Sequence, residues 1–169
     1  MPGSPRKYAL KIATASFIAA SLITASLVGQ TNAQGIPRDI SGRWVSQGFS
    51  SIVDFHGCAG DVRKLCGTVK WLWIADDEGG GHRTDRNNPN RALRSRQVVG
   101  LDIIQNFENT APNVWSGGTL YNPIDGRTFT GTIRQERGVL RLRGCAMGFC
   151  KTQIWRRPED LIAAARGHF

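Results

Sequence analysis

Three histidines are all that the 169 residues contain, and none stands where a hydrolytic site needs one. His56 falls at the end of a strand-like run, His82 in a glycine-rich stretch and His168 beside the C-terminus. No Gly-x-Ser-x-Gly elbow is present, so a serine nucleophile held by a base is not expected. Carboxylates are also scarce, 13 against 22 basic residues. Asp76, Asp77 and Glu78 cluster, and Asp85 follows, but the spacing is not that of a calcium loop, and a solvated acidic turn is expected. The glycines at 79–81 lack the Lys-Ser/Thr and helix of a phosphate loop. These absences remove the usual catalytic, metal and cofactor sites. The chain is expected not to be an enzyme and to carry no cofactor. No internal repeat is visible.

Long apolar runs are also missing, except at the N-terminus. Arg6, Lys7 and Lys11 precede an uncharged run from Ile12 to Val28, interrupted by Thr14, Ser16, Ser21, Thr24 and Ser26. That run is short and weak for a spanning helix. Thr31-Asn32-Ala33 then gives small or modest residues at the cleavage positions. Residues 1–33 are expected to be a secretory signal peptide cut after about Ala33, leaving Gln34 to Phe169 as one domain in the periplasm or outside the cell. The first cysteine, Cys58, is too far from that cut for a lipid anchor.

The charge is one-sided. Three of the 22 basic residues and none of the 13 acidic ones precede Gln34, which leaves a net +6 on the remainder. A basic balance can attract nucleic acid, anionic lipid or acidic ligands; a soluble basic surface is the expected reading, and export argues further against nucleic acid, which is not expected as a partner. The four cysteines are even in number, and an exported chain meets an oxidising compartment. Two disulfides are expected. Of three possible connectivities, Cys58–Cys66 and Cys145–Cys150 are preferred because each closes a short loop. The Cys58 to Cys66 gap is not the short spacing of a zinc site, and only His56 lies near.

What is present reads as β-structure. Turn residues recur every ten or so positions, separating strand-like runs at 42–47, 51–56, 65–74, 98–107, 114–121, 127–135, 139–145 and 151–157. Leu65, Val69, Trp71 and Trp73 fall on one face of the third run, and Val99, Leu101, Ile103 and Phe107 on one face of the fourth. In the seventh, Leu140 and Leu142 alternate with Arg141 and Arg143. Eight runs in sequence order fit a closed up-and-down antiparallel barrel, with a two-sheet sandwich as the alternative. Pro158, Glu159 and Asp160 start a short C-terminal helix.

One long connection, 75–97, joins the third and fourth runs. Its second half, TDRNNPNRALRSR, carries local order. Asn88 before Pro89 reads as an N-cap and first helical residue. Asp85 is placed to accept backbone N–H bonds or pair with an arginine. The segment is expected to be a capped helical turn over one barrel end, with Leu93 pointing inward.

Taken together, Gly42-x-Trp44, Leu65-Cys66-Gly67, Asp85, Asn88-Pro89, Leu93, Arg94, Arg96 and Gly100-Leu101 form a pattern with later positions. These are Trp115, Gly117-Gly118, Tyr121-Asn122-Pro123, Gly126, Arg143-Gly144-Cys145 and Gln153-x-Trp155-x-Arg157. The chain thereby resembles the secreted bacterial family known as domain of unknown function 2147 (DUF2147), over about Ile40 to Arg157. It departs from that family at Gln97, usually Pro, and at Asn122, usually Asp. The resemblance implies a lipocalin-like barrel of unassigned role. Trp44, Trp155 and Arg157 also look like the lipocalin barrel closure, an arginine stacked on the first-strand tryptophan.

Aromatic residues on strands suit a lumen. Glycines at Gly67, Gly100, Gly118 and Gly131 remove volume where a ligand or a close backbone would sit. The expected site therefore holds a small hydrophobic or amphiphilic molecule against Trp71, Trp73, Leu101, Ile103, Trp115 and Tyr121. An acidic head would meet Arg94 or Arg96, whose planar forks suit carboxylate or phosphate. Asp85, Asn88 and Pro89 structure the loop, and bracing by the arginines is the competing reading. Two alternatives remain. One is an envelope protein–protein module with a filled barrel, using Arg134, Arg141 and Arg143. The other is an enzyme with an unfamiliar site around Asp85, Asn88 and Arg94.

Overall fold

The computed structural model describes residues 40–76 and 81–167. The expected signal peptide lies outside these residues. Eight strands follow in chain order: β1 (Gly42–Val45), β2 (Ser51–Gly57), β3 (Leu65–Leu72), β4 (Asp102–Ala111), β5 (Val114–Asn122), β6 (Arg127–Glu136), β7 (Val139–Ala146) and β8 (Phe149–Arg156). Each pairs antiparallel with its neighbour, and β8 returns to β1 at the single pair Val45–Arg156, which closes the barrel. Helix α1 (Pro158–Arg166) follows, with Pro158 in its first turn and Glu159 and Asp160 where the helix dipole favours them. The expected up-and-down barrel with a long third connection and a C-terminal helix is what the chain forms.

Local sequence explains most of the strands. In β7, Leu140 and Leu142 are buried while Arg141 and Arg143 face water. The turn residues Arg137-Gly138 and Met147-Gly148 have positive φ at both positions, the geometry of tight hairpins that match strand twist. Both expected disulfides form. Cys58–Cys66 ties the end of β2 to β3, and Cys145–Cys150 spans facing residues of β7 and β8.

One half of the barrel is packed solid. Trp44, Phe55, Leu65, Phe107, Trp115, Ile133 and Leu140 are all fully buried there. Arg157 stacks over the Trp44 ring at 3.9 Å and donates to the Ser41 carbonyl at 2.9 Å, as the closure reading expected. Trp155 has a different part. It lies inside the lumen, edge-on to Phe55 at 5.9 Å, rather than in the stack.

Two expectations of facing fail for one reason. β3 carries an extra residue at Lys70, so Val53 pairs with Val69 but Ile52 pairs with Trp71. A one-residue bulge inverts every side chain beyond it. Leu72 therefore faces the lumen, and Trp71 and Trp73 face solvent. β4 has a similar break at Asn106, whose φ is 57°, and Ile104 and Phe107 are the buried pair. Residues 98–101 form a turn rather than strand, with Val99 exposed and Leu101 buried in the core.

The strand glycines serve the core. A Cβ at Gly118 or Gly131 would overlap Phe107, and one at Gly67 would press on Ile104 and Val53. Gly100 sits in the 98–101 turn with φ 95° and open space around it. The volume removed at Gly67, Gly118 and Gly131 is filled by the chain itself, not left for a ligand.

Candidate functional site

The other half of the barrel is hollow. A cavity of about 560 Å³ opens at the end formed by the β1–β2, β3–β4, β5–β6 and β7–β8 connections. Its wall is apolar: Val69, Leu72, Val98, Ile103, Ile104, Leu120, Phe129, Leu142 and Trp155. Its rim is polar, with Ser46, Ser50, Ser51, Arg83, Arg86, Asp125, Lys151 and Gln153. The volume falls within the roughly 300–1,000 Å³ typical of small-molecule sites. An apolar floor under a polar rim suits one amphiphile.

Of the residues expected to bind, Ile103 and Tyr121 line this cavity. Trp115 is wholly buried in the solid half and Leu101 in the core beside the loop. Trp71 and Trp73 stand on the outer wall, edge to face at 5.8 Å. Arg94 and Arg96 do not reach the cavity. Arg94 Nε donates to the Asn88 carbonyl at 2.7 Å, and Arg96 donates to Asp85, so both brace the loop. The rim cations are instead Arg83, Arg86 and Lys151. Lys151 could have been found by alternation, being two residues before the inward-facing Gln153. The two loop arginines give no periodic signal.

The long connection is held by one buried carboxylate. Asp85 is 0 % exposed. Its Oδ2 accepts from Arg96 Nε at 3.0 Å, Arg96 Nη2 at 2.8 Å and Asn88 Nδ2 at 2.7 Å, and its Oδ1 accepts from the Tyr121 hydroxyl at 2.5 Å. Asn88 also donates to the Tyr121 oxygen at 3.0 Å. Burial pushes the Tyr121 phenol above its usual pKa, and the bond to the Asp85 carboxylate adds to the shift. The buried carboxylate is saturated with donors and has no face left for a substrate.

The helical turn is shorter and later than expected. It is one 3-10 turn, Arg91–Leu93, capped by Asn90, whose side chain accepts from the Ala92 N–H at 3.1 Å. Asn88 is occupied by the Asp85 cluster, and its Oδ1 accepts from the Asn90 N–H at 2.8 Å. Leu93 points outward. The loop also docks on the β5–β6 turn. Asn87 Nδ2 donates to the Ile124 carbonyl at 2.5 Å, and the Asn87 carbonyl lies against Gly126, which has φ 71° and no room for a Cβ.

A histidine, a hydroxyl and a carboxylate do meet elsewhere, on the outer wall. His56 Nε2 is 2.7 Å from Thr68 Oγ1, which donates to Asp102. The order is wrong for nucleophile activation. The carboxylate meets the hydroxyl, while His56 Nδ1 faces the Gly57 carbonyl at 2.8 Å. Asp76 pairs with His82 at 3.2 Å, and no cluster of three metal-ligating side chains occurs among the described residues.

A closed eight-stranded up-and-down barrel, locked at one end by arginine on tryptophan and hollow at the other, defines a lipocalin-like protein. The chain belongs to the DUF2147 family, described as an uncharacterized protein conserved in bacteria, which it matches over residues 42–157. It is similar to the solved structure of HP1028 from the human pathogen Helicobacter pylori, described as belonging to the lipocalin family. That likeness has a TM-score of 0.59 at 23% identity and covers 73% of this chain and 86% of that one. It concerns the fold. No curated protein matches the chain.

Proposed function

We infer that the protein is a binding protein, not an enzyme, for a small hydrophobic or amphiphilic molecule. The apolar part of the ligand lies along Ile103, Leu120, Phe129 and Trp155, and an acidic head sits at the rim beside Lys151. The observation that carries this reading is the cavity itself, apolar in its wall and polar only at its mouth. The lipocalin-like fold is compatible with such a ligand. The chain is proposed to act in the periplasm or outside the cell. Two disulfides support an oxidising compartment, and the N-terminal sequence supports export.

Native mass spectrometry of protein recovered from the cell envelope tests both parts. The expected result is a chain beginning near Gln34 with a reproducible small-molecule adduct. Anilinonaphthalene sulfonate, an apolar ring system with an anionic group, provides the in vitro probe. Its uptake should fall severalfold in Ile103→Trp, which puts an indole into the cavity where the apolar part of the ligand would lie. Uptake unchanged in a folded Ile103→Trp protein would overturn the reading.

A further inference from the structure

Exposed large apolar residues are distributed unequally over the barrel. All four connections at the open end carry them: Phe49 in β1–β2, Trp73 and Ile74 in β3–β4, Ile124 in β5–β6, and Met147 with the adjoining Phe149 in β7–β8. Among the described residues of the three connections at the opposite end, only Val62 is of this kind. Scattered surface hydrophobics need no explanation, but a ring of them on one end does.

The β7–β8 hairpin is the most pronounced case. Met147 is 88 % exposed and Phe149 84 % exposed. Met147 has φ 47°, a region where asparagine or glycine is favoured and a bulky side chain is strained. Phe49, at the neighbouring β1–β2 tip, has φ 59° and is 55 % exposed. The turn needs this backbone, but an apolar side chain held in water at its tip gains nothing within the folded chain. The Cys145–Cys150 disulfide sits directly beneath Met147 and fixes the tip.

Charge identifies what this tip meets. Lys151 and, further along the hairpin, Arg143 lie nearest the tip, and residues 137–157 contain no carboxylate; Arg137, Arg156 and Arg157 sit at the opposite end of the hairpin. Arg141 is paired with Glu136 at 3.1 Å, whereas Arg143 is exposed with no ion-pair partner among the described residues. An apolar, pinned tip flanked by Lys151 and Arg143 is complementary to an anionic lipid surface. Phenylalanine, methionine and tryptophan enter the interface while arginine and lysine meet the headgroups.

We propose that the open end docks on anionic phospholipid bilayers, led by the Met147–Phe149 tip. Docking does not require the cavity to hold a ligand, although it would bring the cavity mouth to the membrane. The chain from Gln34 onward contains the whole barrel, its core and both disulfides, and it lacks the apolar N-terminal run that would bind lipid on its own.

The test is co-sedimentation of this chain with vesicles of phosphatidylcholine alone or mixed with phosphatidylglycerol. Met147→Asn/Phe149→Thr keeps the turn, since asparagine tolerates positive φ and threonine suits a strand. Binding to the anionic vesicles is expected, weakened by salt and by Arg143→Glu, and reduced roughly tenfold or more in the double variant. Melting should not fall, and anilinonaphthalene sulfonate uptake should be unchanged because neither tip residue lines the cavity. Three results would overturn the proposal: no co-sedimentation at low salt, equal binding by the double variant, or a dimer in solution that the double variant dissociates. The last would assign the tip to a second copy of the chain.

Discussion

Replacing Asp85 by alanine should be among the most damaging single changes in the loop. The carboxylate is buried and receives four hydrogen bonds, two from Arg96 and one each from Asn88 and Tyr121. Removing one partner of a buried ion pair costs about 3–5 kcal/mol, mainly because the other charge is left unpaired. Arg96 keeps its side chain 39% exposed, so its guanidinium can regain water, and the cost belongs at the lower end, about 3 kcal/mol. Against a total of about 5–15 kcal/mol that is a large fraction, and it should lower Tm by roughly 12 °C. The loss should be global rather than confined to the loop. Val98 and Leu101, which the loop carries, are buried in the same core cluster as the strands. Thermal melting with both disulfides intact measures the effect. Arg96→Met supplies the control. With no cation left to orphan, the double variant Asp85→Ala/Arg96→Met should cost clearly less than the sum of the two single changes. A fall of less than about 2 °C for Asp85→Ala, or strict additivity in the cycle, would refute the reasoning.

Two further outcomes follow from the same contacts. Tyr121 is the only tyrosine from Gln34 onward, so the tyrosinate absorbance of that chain reads this residue alone. Its pKa is raised in the fold by burial and by Asp85, so neutral Tyr121 contributes stability that is fully present below about pH 10 and is lost as pH climbs through the folded value. The titration midpoint should lie above 10 in the folded chain and return to about 10 in urea; equal midpoints would contradict the burial of this phenol. Gly126→Ala should cost roughly 2 kcal/mol or more. Its φ of 71° is unfavourable for alanine, and the new Cβ meets the Asn87 carbonyl. Hydrogen exchange in residues 84–90 should rise more than in the strands, and uniform exchange would place the loop's anchorage elsewhere.

Most of the barrel could be read from turn chemistry and alternation. β5 to β8 are joined by short turns, and their inward residues alternate without interruption in β6 and β7, so faces and bounds were legible. β3 and β4 were legible as strands but not as faces. The bulge at Lys70 follows from the register against β2, a pairing between segments that no single-strand pattern records. The same holds for Asn106. That one insertion moved Trp71 and Trp73 out of the expected site and Leu72 into it. Asp85 was legible as a loop anchor because a lone acid before Asn-Pro among arginines has few other uses. Its partner Tyr121 was not, since it reaches Asp85 from strand β5, far away in the chain. The rim arginines at 83 and 86 were missed for a related reason: which side of the loop faces the lumen depends on how the Asp85 cluster docks it.

The cavity is a consequence of residue size along the lumen, not of barrel width. Eight strands give an interior that side chains can just fill, and in one half they fill it with Trp44, Phe55, Phe107 and Trp115, the Phe107 ring fitting against Gly118 and Gly131. In the other half the rings of Tyr121, Phe129 and Trp155 share the lining with the small residues Ser46, Ser51, Val69 and Gly144 and with Leu120 and Leu142. Four large rings in place of those small residues would close the space. The hollow half also holds the longest connection and Asp85, the one buried charged residue among the described residues. A loop that merely joined β3 to β4 could be far shorter, since the two strands are adjacent in the barrel. Its length, its buried anchor on Tyr121 and its contact with the β5–β6 turn are spent on shaping the mouth of a cavity that the strands leave open.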